Sequence, residues 1–319
     1  MSTYKIVVDS CCEIPEEIKK EICVERVPLT LEVGDTTIVD DENFHQASFL
    51  KMVAECPTAP RSACPSPERY MQAYDAVVER IYVVTLTSKL SGSYNSAVLG
   101  KDLLEESGKK IPKMHIFDSL SASVGQTQLV LKIKELEEAG KSFEEIVEIT
   151  EKFRDEMMTY FVLDNLDTFR KNCRLTGIKA LGVSKLNIKP IMYALEGVVA
   201  QKSQAIGSKK ALNKMVEILL AEGKNLQDKI LMISHCNCLE RAQFVRDKLV
   251  ESAQFKAIYI LDTMGVSSMF ASDGGILVTV LFWSFSYNRL EKRIFYRLIN
   301  VRGEEKSCSR IFFAQRYVC

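Results

Sequence analysis

Several familiar chemistries are missing from this chain of 319 residues. It has no GxxxxGK[ST] and therefore no phosphate-cradling P-loop. No two of its 15 glycines are separated by a single residue, so the dinucleotide fingerprint GxGxxG is absent as well. GxSxG is also lacking, which weakens a serine-hydrolase reading without removing it. Charge of one sign is not in excess: 42 Lys and Arg balance 42 Asp and Glu. That balance gives no reason to expect nucleic acid as a partner. Long apolar runs are missing too. The longest uncharged stretch, Gly274–Asn288, is 15 residues and too short to span a bilayer, so no stable membrane insertion is expected. Ile6–Val8, the first apolar run, is far too short for a signal peptide. Ten cysteines without such a leader, and without any CxxC, predict reduced thiols in a cytoplasmic protein.

What is present suits buried cores. The chain is 47% apolar and 26% charged, as soluble proteins are, and its length fits about two domains. The charge is unevenly spread, however. Residues 284–319 carry eight Lys and Arg against three Asp and Glu.

The first half alternates strand and helix patterns. "YKIVVDS" (4–10), "RIYVVTL" (80–86) and "KMHIFDS" (113–119) read as strands buried on both faces. Helical patterns follow at "EIPEEIKKEI", from "SGSYNSA" to about Gly108, and across 121–139. That order predicts a parallel sheet with helices on both sides. Ser142 and Glu145 form a capping-box pattern opening a further helix. After about residue 157 the rhythm changes. "NIKPIMYAL-EG-VVAQKSQ" reads as an antiparallel hairpin on a tight Glu-Gly turn. Ser208 is expected to cap the next helix, and "KILMISH" and "KAIYILDT" read as strands with a helix between them. The second half is thus an α+β domain, and no linker separates it from the first.

Ligands of parallel sheets bind beyond the carboxyl ends of strands. Three such ends here carry small polar residues: Asp9-Ser10, Thr87-Ser88 through Ser93, and Asp118-Ser119. Ser91, Gly92 and Ser93 stand at a helix N-terminus, where hydroxyls and free amides suit an anion. The same serines also serve as plain helix caps. "APRSACPSPE" (59–68) leaves Ser62 and Ser66 equally open between the two roles. "SHCNC" (234–238) groups His235, Cys236 and Cys238, yet one strand end rarely supplies three zinc ligands, and no metal or cofactor is expected. In "FRKNCRLTG" (169–177), Arg170, Lys171 and Arg174 are either solvated charges or neighbours of the anion site.

Together "VVDSCCEIP", "SACPS", "SGSYNSA", "FDSLSASVGQ", "CRLTG" and "LNIKPIM…EG" resemble the DegV family in order and spacing, over nearly all of residues 3–282. The resemblance implies a two-domain α/β protein. Residues 1–157 would form the parallel-sheet domain with the carboxylate-binding loops. Residues 158–283 would form an α+β domain with a mainly antiparallel sheet covering an acyl chain. Residues 284–319 fit nothing in the family pattern and are expected to lie outside the fold. It further implies a bacterial lipid-binding subunit rather than an enzyme. Such a subunit holds a long-chain fatty acid between its domains and presents the carboxylate to a separate ATP-dependent kinase. The acyl phosphate then feeds phospholipid synthesis. By this similarity Ser62 and Ser91 would hold the carboxylate with help from Gly92 and Ser93, and Arg174 would serve gating or partner contact. Burying a sixteen-carbon chain is worth on the order of 12 kcal/mol, whereas a buried carboxylate needs donors. The alternative from another class is a serine hydrolase or acyl transferase using Ser91 or Ser93. Two departures from the family stand out. "DTMGVSSMFASDGG" lacks the histidine of the usual glycine-rich turn, and "AIGSKKA" lacks the usual arginines.

Overall fold

The computed structural model describes residues 3–109, 111–175 and 187–281. The 284–319 tail and the last two residues of "FRKNCRLTG" lie outside the described residues. The chain begins with β1 (Tyr4–Asp9), α1 (Glu16–Glu21), β2 (Val24–Val27), β3 (Thr30–Val33), β4 (Thr36–Val39), α2 (Gln46–Glu55) and β5 (Arg61–Ala63). It continues through α3 (Pro67–Tyr74), β6 (Arg80–Thr85), α4 (Ser93–Glu106), β7 (Lys113–Asp118), α5 (Val124–Glu138) and α6 (Phe143–Asp155).

Four strands form a parallel sheet in the order β2-β1-β6-β7. Successive side chains alternate faces. Ile6, Val8, Tyr82 and Val84 pack on the α5 side, whereas Val7, Ile81 and Val83 meet Tyr70, Tyr74 and Leu104 of α3 and α4. Burial on both faces explains why the two central strands, β1 and β6, read as unbroken apolar runs. The expected capping box on α6 is present. Glu145 N–H donates to Ser142 Oγ, and Ser142 N–H donates to the Glu145 carboxylate.

From β8 (Met157–Val162) the architecture changes. It is followed by α7 (Asp167–Lys171), β9 (Ile188–Leu195), β10 (Val198–Ile206), α8 (Ser208–Glu222), β11 (Ile230–His235) and α9 (Leu239–Val250). The last described elements are β12 (Ala257–Asp262), α10 (Gly265–Ala271) and β13 (Ile276–Leu281). Six strands pair in the order β10-β9-β8-β13-β11-β12, antiparallel throughout except for β11 beside β12. Glu196 and Gly197 both have positive φ (50° and 85°), the geometry a two-residue hairpin turn requires. The fold is therefore a two-domain α/β one, with a parallel N-terminal sheet and a mainly antiparallel C-terminal sheet.

Two features depart from the sequence expectation. Ser208 does not cap α8; Gly207 holds the cap position, and Ser208 Oγ donates to Asp164 instead, at 2.6 Å. Residues 24–63, which carried no assignment, supply the edge strand β2 and a three-stranded antiparallel sheet, β4-β3-β5. This small sheet packs with Phe49 of α2 and with Val266 and Met269 of α10, so a helix late in the sequence is built into the N-terminal half.

The two domains share α5. Residues 124–131 of this helix are all buried, since one face meets the parallel sheet and another meets β11. Its Gln128 Nε2 donates to the Ile230 carbonyl at 2.7 Å.

Candidate functional site

Between the two sheets lies a cavity of about 790 Å³, counting its open mouth. One side is built from the N-terminal domain: Ser62 of β5, Leu86, Thr87, Leu90 and Ser91 after β6, and Ser121 to Ser123 before α5. The opposite side is built from Phe161, Leu163 and Phe169, the β9–β10 hairpin and Leu277. α10 closes a third side with Val266, Ser267, Phe270 and Ala271. The exposed wall is overwhelmingly apolar.

The hydroxyl side is held by carboxylates rather than by cations. Asp9, fully buried at the end of β1, accepts from Leu86 N–H (2.7 Å), Ser93 Oγ (2.6 Å), Gln126 Nε2 (2.9 Å) and Cys11 N–H (3.3 Å). These bonds anchor both ends of the 86–93 loop to one side chain. Since Ser93 donates to Asp9, the Tyr70 hydroxyl must donate to Ser93, at 2.6 Å. Asp40 accepts from Ser10 Oγ (2.8 Å) and from the Gly265 and Val266 amides (2.8 and 2.9 Å), so it caps α10. A Cβ on Gly265 would lie 2.5 Å from Asp40 Oδ1, so only glycine admits this approach. Glu13 accepts from Ser123 Oγ (2.6 Å) and Met264 N–H (3.1 Å). Burial raises the carboxyl pKa of all three acids, that of Glu13 to about 7, because taking a carboxylate out of water disfavours its charge.

The four residues expected to hold an anion fall in two layers. Ser62 and Ser91 line the cavity. Gly92 and Ser93 are not among its lining residues. The Ser93 hydroxyl is buried between Asp9 and Tyr70, and its N–H donates to Ser91 Oγ at 3.2 Å. Ser91 Oγ thus accepts a helix N-terminal amide from one side while its residue faces the cavity from the other. Ser66 stands at the cap position of α3 without a capping bond. Arg174 does reach the cavity. Its Nε donates to the Leu90 carbonyl at 2.9 Å and its guanidinium lies over the Phe270 ring, 5.1 Å from the centroid. Burial lowers its pKa, and among the described residues it has no carboxylate partner.

"SHCNC" is occupied by other contacts. The Cys236 and Cys238 thiols point at the Ser268 and Gly275 carbonyls, and His235 Nδ1 lies 3.5 Å from Asp262. Among the described residues no group of three His, Cys, Asp or Glu is placed to hold a metal ion. No described helix is long and apolar enough to cross a membrane.

The sequence named Thr87 only as part of a polar strand end, and it did not single out Ser123 and Ser267 of the lining, or Glu13 and Asp40 behind it. Thr87 and the serines lay within noted strand ends or loops. The two acids carried no local signal, because their partners are 30 to 251 residues away.

The sequence model of the DegV family of uncharacterised proteins matches residues 3–280. The chain belongs to the DegV family. A DegV domain-containing protein of Streptococcus pyogenes serotype M1 is 33% identical over 279 residues, covering 86% of this chain and 98% of the relative. Solved DegV structures agree with the fold. A Ruminococcus gnavus family member, crystallised with vaccenic acid, is 50% identical with a TM-score of 0.84, over 87% of this chain and 99% of that one. The Streptococcus pneumoniae fatty acid kinase B3 protein, loaded with linoleic acid, is 32% identical with a TM-score of 0.79, over 88% and 100%. In this DegV chain the histidine-free stretch "DTMGVSSMFASDGG" forms α10, whose capping by Asp40 and Glu13 ties it to the N-terminal domain.

Proposed function

We propose that the chain binds a long-chain fatty acid in the cavity and presents its carboxylate to a separate ATP-dependent kinase, which forms an acyl phosphate. One observation carries the reading: an apolar cavity between two domains, bearing serine hydroxyls and a half-buried arginine that has no acidic partner among the described residues. An acyl chain gains by leaving water, about 0.8 kcal/mol per methylene. Its carboxylate needs donors and a countercharge once buried. Ser62 and Ser91 supply hydroxyls, and Arg174, bonded to the Leu90 carbonyl beside Ser91, supplies positive charge from the C-terminal half. Gly92 and Ser93 act behind them, fixing Ser91 through the helix terminus and Asp9. The fatty acids bound to the R. gnavus and S. pneumoniae relatives support the ligand class. The kinase role of the latter supports the presentation step. On this reading the chain is a carrier and not a catalyst. Neither Ser91 nor Ser93 has a histidine as hydrogen-bond partner among the described residues, which removes the usual base of a serine hydrolase.

Native mass spectrometry of the chain purified from bacterial cells should find one fatty acid per protein. Adding ATP and a bacterial fatty acid kinase catalytic subunit should give ADP only when the loaded chain is present. A delipidated chain that takes up no C16–C18 acid would refute the ligand. Loaded chain that never stimulates ADP formation would refute the presentation step alone.

A further inference from the structure

Glu13 lies directly behind the cavity wall. Its Oε2 accepts from Ser123 Oγ at 2.6 Å, its Oε1 accepts from Met264 N–H at 3.1 Å, and the Ser267 hydroxyl also reaches it. Ser123 and Ser267 both line the cavity, so one small side chain separates the Glu13 carboxyl from whatever fills that space. Ser123 is held there at a cost: its φ of 56° and ψ of −132° belong to a region that glycine alone enters easily. Ser123 Oγ also accepts from Ser234 Oγ of β11 at 2.8 Å, so this contact spans both domains.

Among the described residues Glu13 has no cationic partner. Its own loop brings Asp9, Cys11 and Cys12, and the loop after β4 brings Asp40, all acidic or neutral. Arg26 of β2 acts on Cys12 and Asp40 but makes no ion pair with Glu13. α5 presents Ser123 and Thr127, α10 presents Ser267, and β11 presents Ser234. His235, next along β11, pairs with Asp262. Burial without a cation is what places this carboxyl near neutrality, at about 7.

We propose that Glu13 couples lipid loading to proton uptake, so that filling the cavity with an acyl chain drives a proton onto this carboxylate. The proposal rests on the fatty-acid reading above. Hydrocarbon in place of cavity water removes the polarisable medium that stabilises the nearby charge. The carboxylate of the ligand adds a second negative charge to the same low-dielectric interior. Both effects favour protonated Glu13 in the loaded state. Loading therefore raises a pKa that is already near 7 in the structure. By linkage, affinity is greatest below neutrality and falls as pH rises from about 7 towards the higher loaded-state value. The slope is at most tenfold per pH unit for one proton. A rise in pH then promotes release.

The test uses the delipidated full-length chain and monomeric vaccenic acid. Dissociation constants are measured at pH 6.5 and 8.5, and proton uptake is measured calorimetrically at pH 7.5 in two buffers of different ionisation enthalpy. The expected result is affinity at least threefold weaker at pH 8.5, with net proton uptake on binding. Glu13→Gln, which retains a hydrogen-bonding carbonyl but cannot titrate, should lose both effects. Equal pH slopes in wild type and Glu13→Gln would overturn the proposal. So would binding without proton uptake by the wild-type chain, a result that does not depend on the variant folding. No binding at either pH would instead refute the lipid reading itself.

Discussion

The two long walls of the cavity are made in opposite ways. On the N-terminal side, loops at strand ends are pinned by buried acids: Asp9 holds four donors and Asp40 three. On the C-terminal side, Phe161, Leu163, Phe169, Val199 and Leu277 form one apolar cluster, and the wall is set by packing. Hydrogen bonds are directional, so they fix where a hydroxyl sits; dispersion and burial fix only volume. The first wall is thus suited to one chemical group at one place, and the second to a long, featureless chain. The comparison can be broken from either side.

The largest effect should come from the hub of the polar wall. Asp9→Ala leaves the Leu86 amide, the Ser93 hydroxyl and the Gln126 amide without their buried acceptor. A loss of about 3–5 kcal/mol in urea unfolding is expected, as when a buried polar network loses one member. Asp9→Asn, which keeps one acceptor oxygen, should fall between. A cost below about 1 kcal/mol for Asp9→Ala would mean that packing alone builds this wall too.

A smaller effect is expected where the polar wall meets the ligand. Ser91→Ala should weaken fatty acid binding to the delipidated chain by about 1–3 kcal/mol, through an unpaired carboxylate oxygen. Ser62→Ala should act similarly, and the double variant should lose less than the sum, since both hydroxyls serve one group. Strict additivity in the calorimetric titration would separate the two serines and break the idea of a single head-group site.

The same contrast governs what could be read in advance. β1 and β6 were legible because burial on both faces leaves unbroken apolar runs. The β9–β10 hairpin was legible because Glu196-Gly197 is a local turn signal. The capping box at Ser142 likewise needs only its own four residues. β3 and β4, "TLEV" and "TTIV", were not legible. They are four residues each and half polar; β3 buries Leu31 and Val33 only against α2 and α10, and β4 adds only the partly buried Ile38. α10 itself, "GVSSMFA", has no helical periodicity of note and depends on Asp40, 225 residues away, for its first turn. Ser62 and Ser91 could be singled out as a pair by family pattern. That both line one cavity depends on β5 pairing with β3, which local sequence does not announce.

The smallest effect should come from the apolar wall. Leu163, 2% exposed, lines the cavity and packs with Phe161, Phe169 and Met192. Methionine has nearly the same volume and can adjust to an irregular gap. Leu163→Met should cost less than about 1.5 kcal/mol of stability and leave fatty acid affinity within a few-fold of wild type. Leu163→Asn, of similar size but with an amide facing hydrocarbon, should lose far more of both, because that amide has no partner in an apolar wall. The pair of variants separates volume from chemistry at one position. If Leu163→Met weakened binding as much as Ser91→Ala, the C-terminal wall would be reading the detailed shape of the chain. The two walls would then differ in composition but not in how closely they specify their ligand.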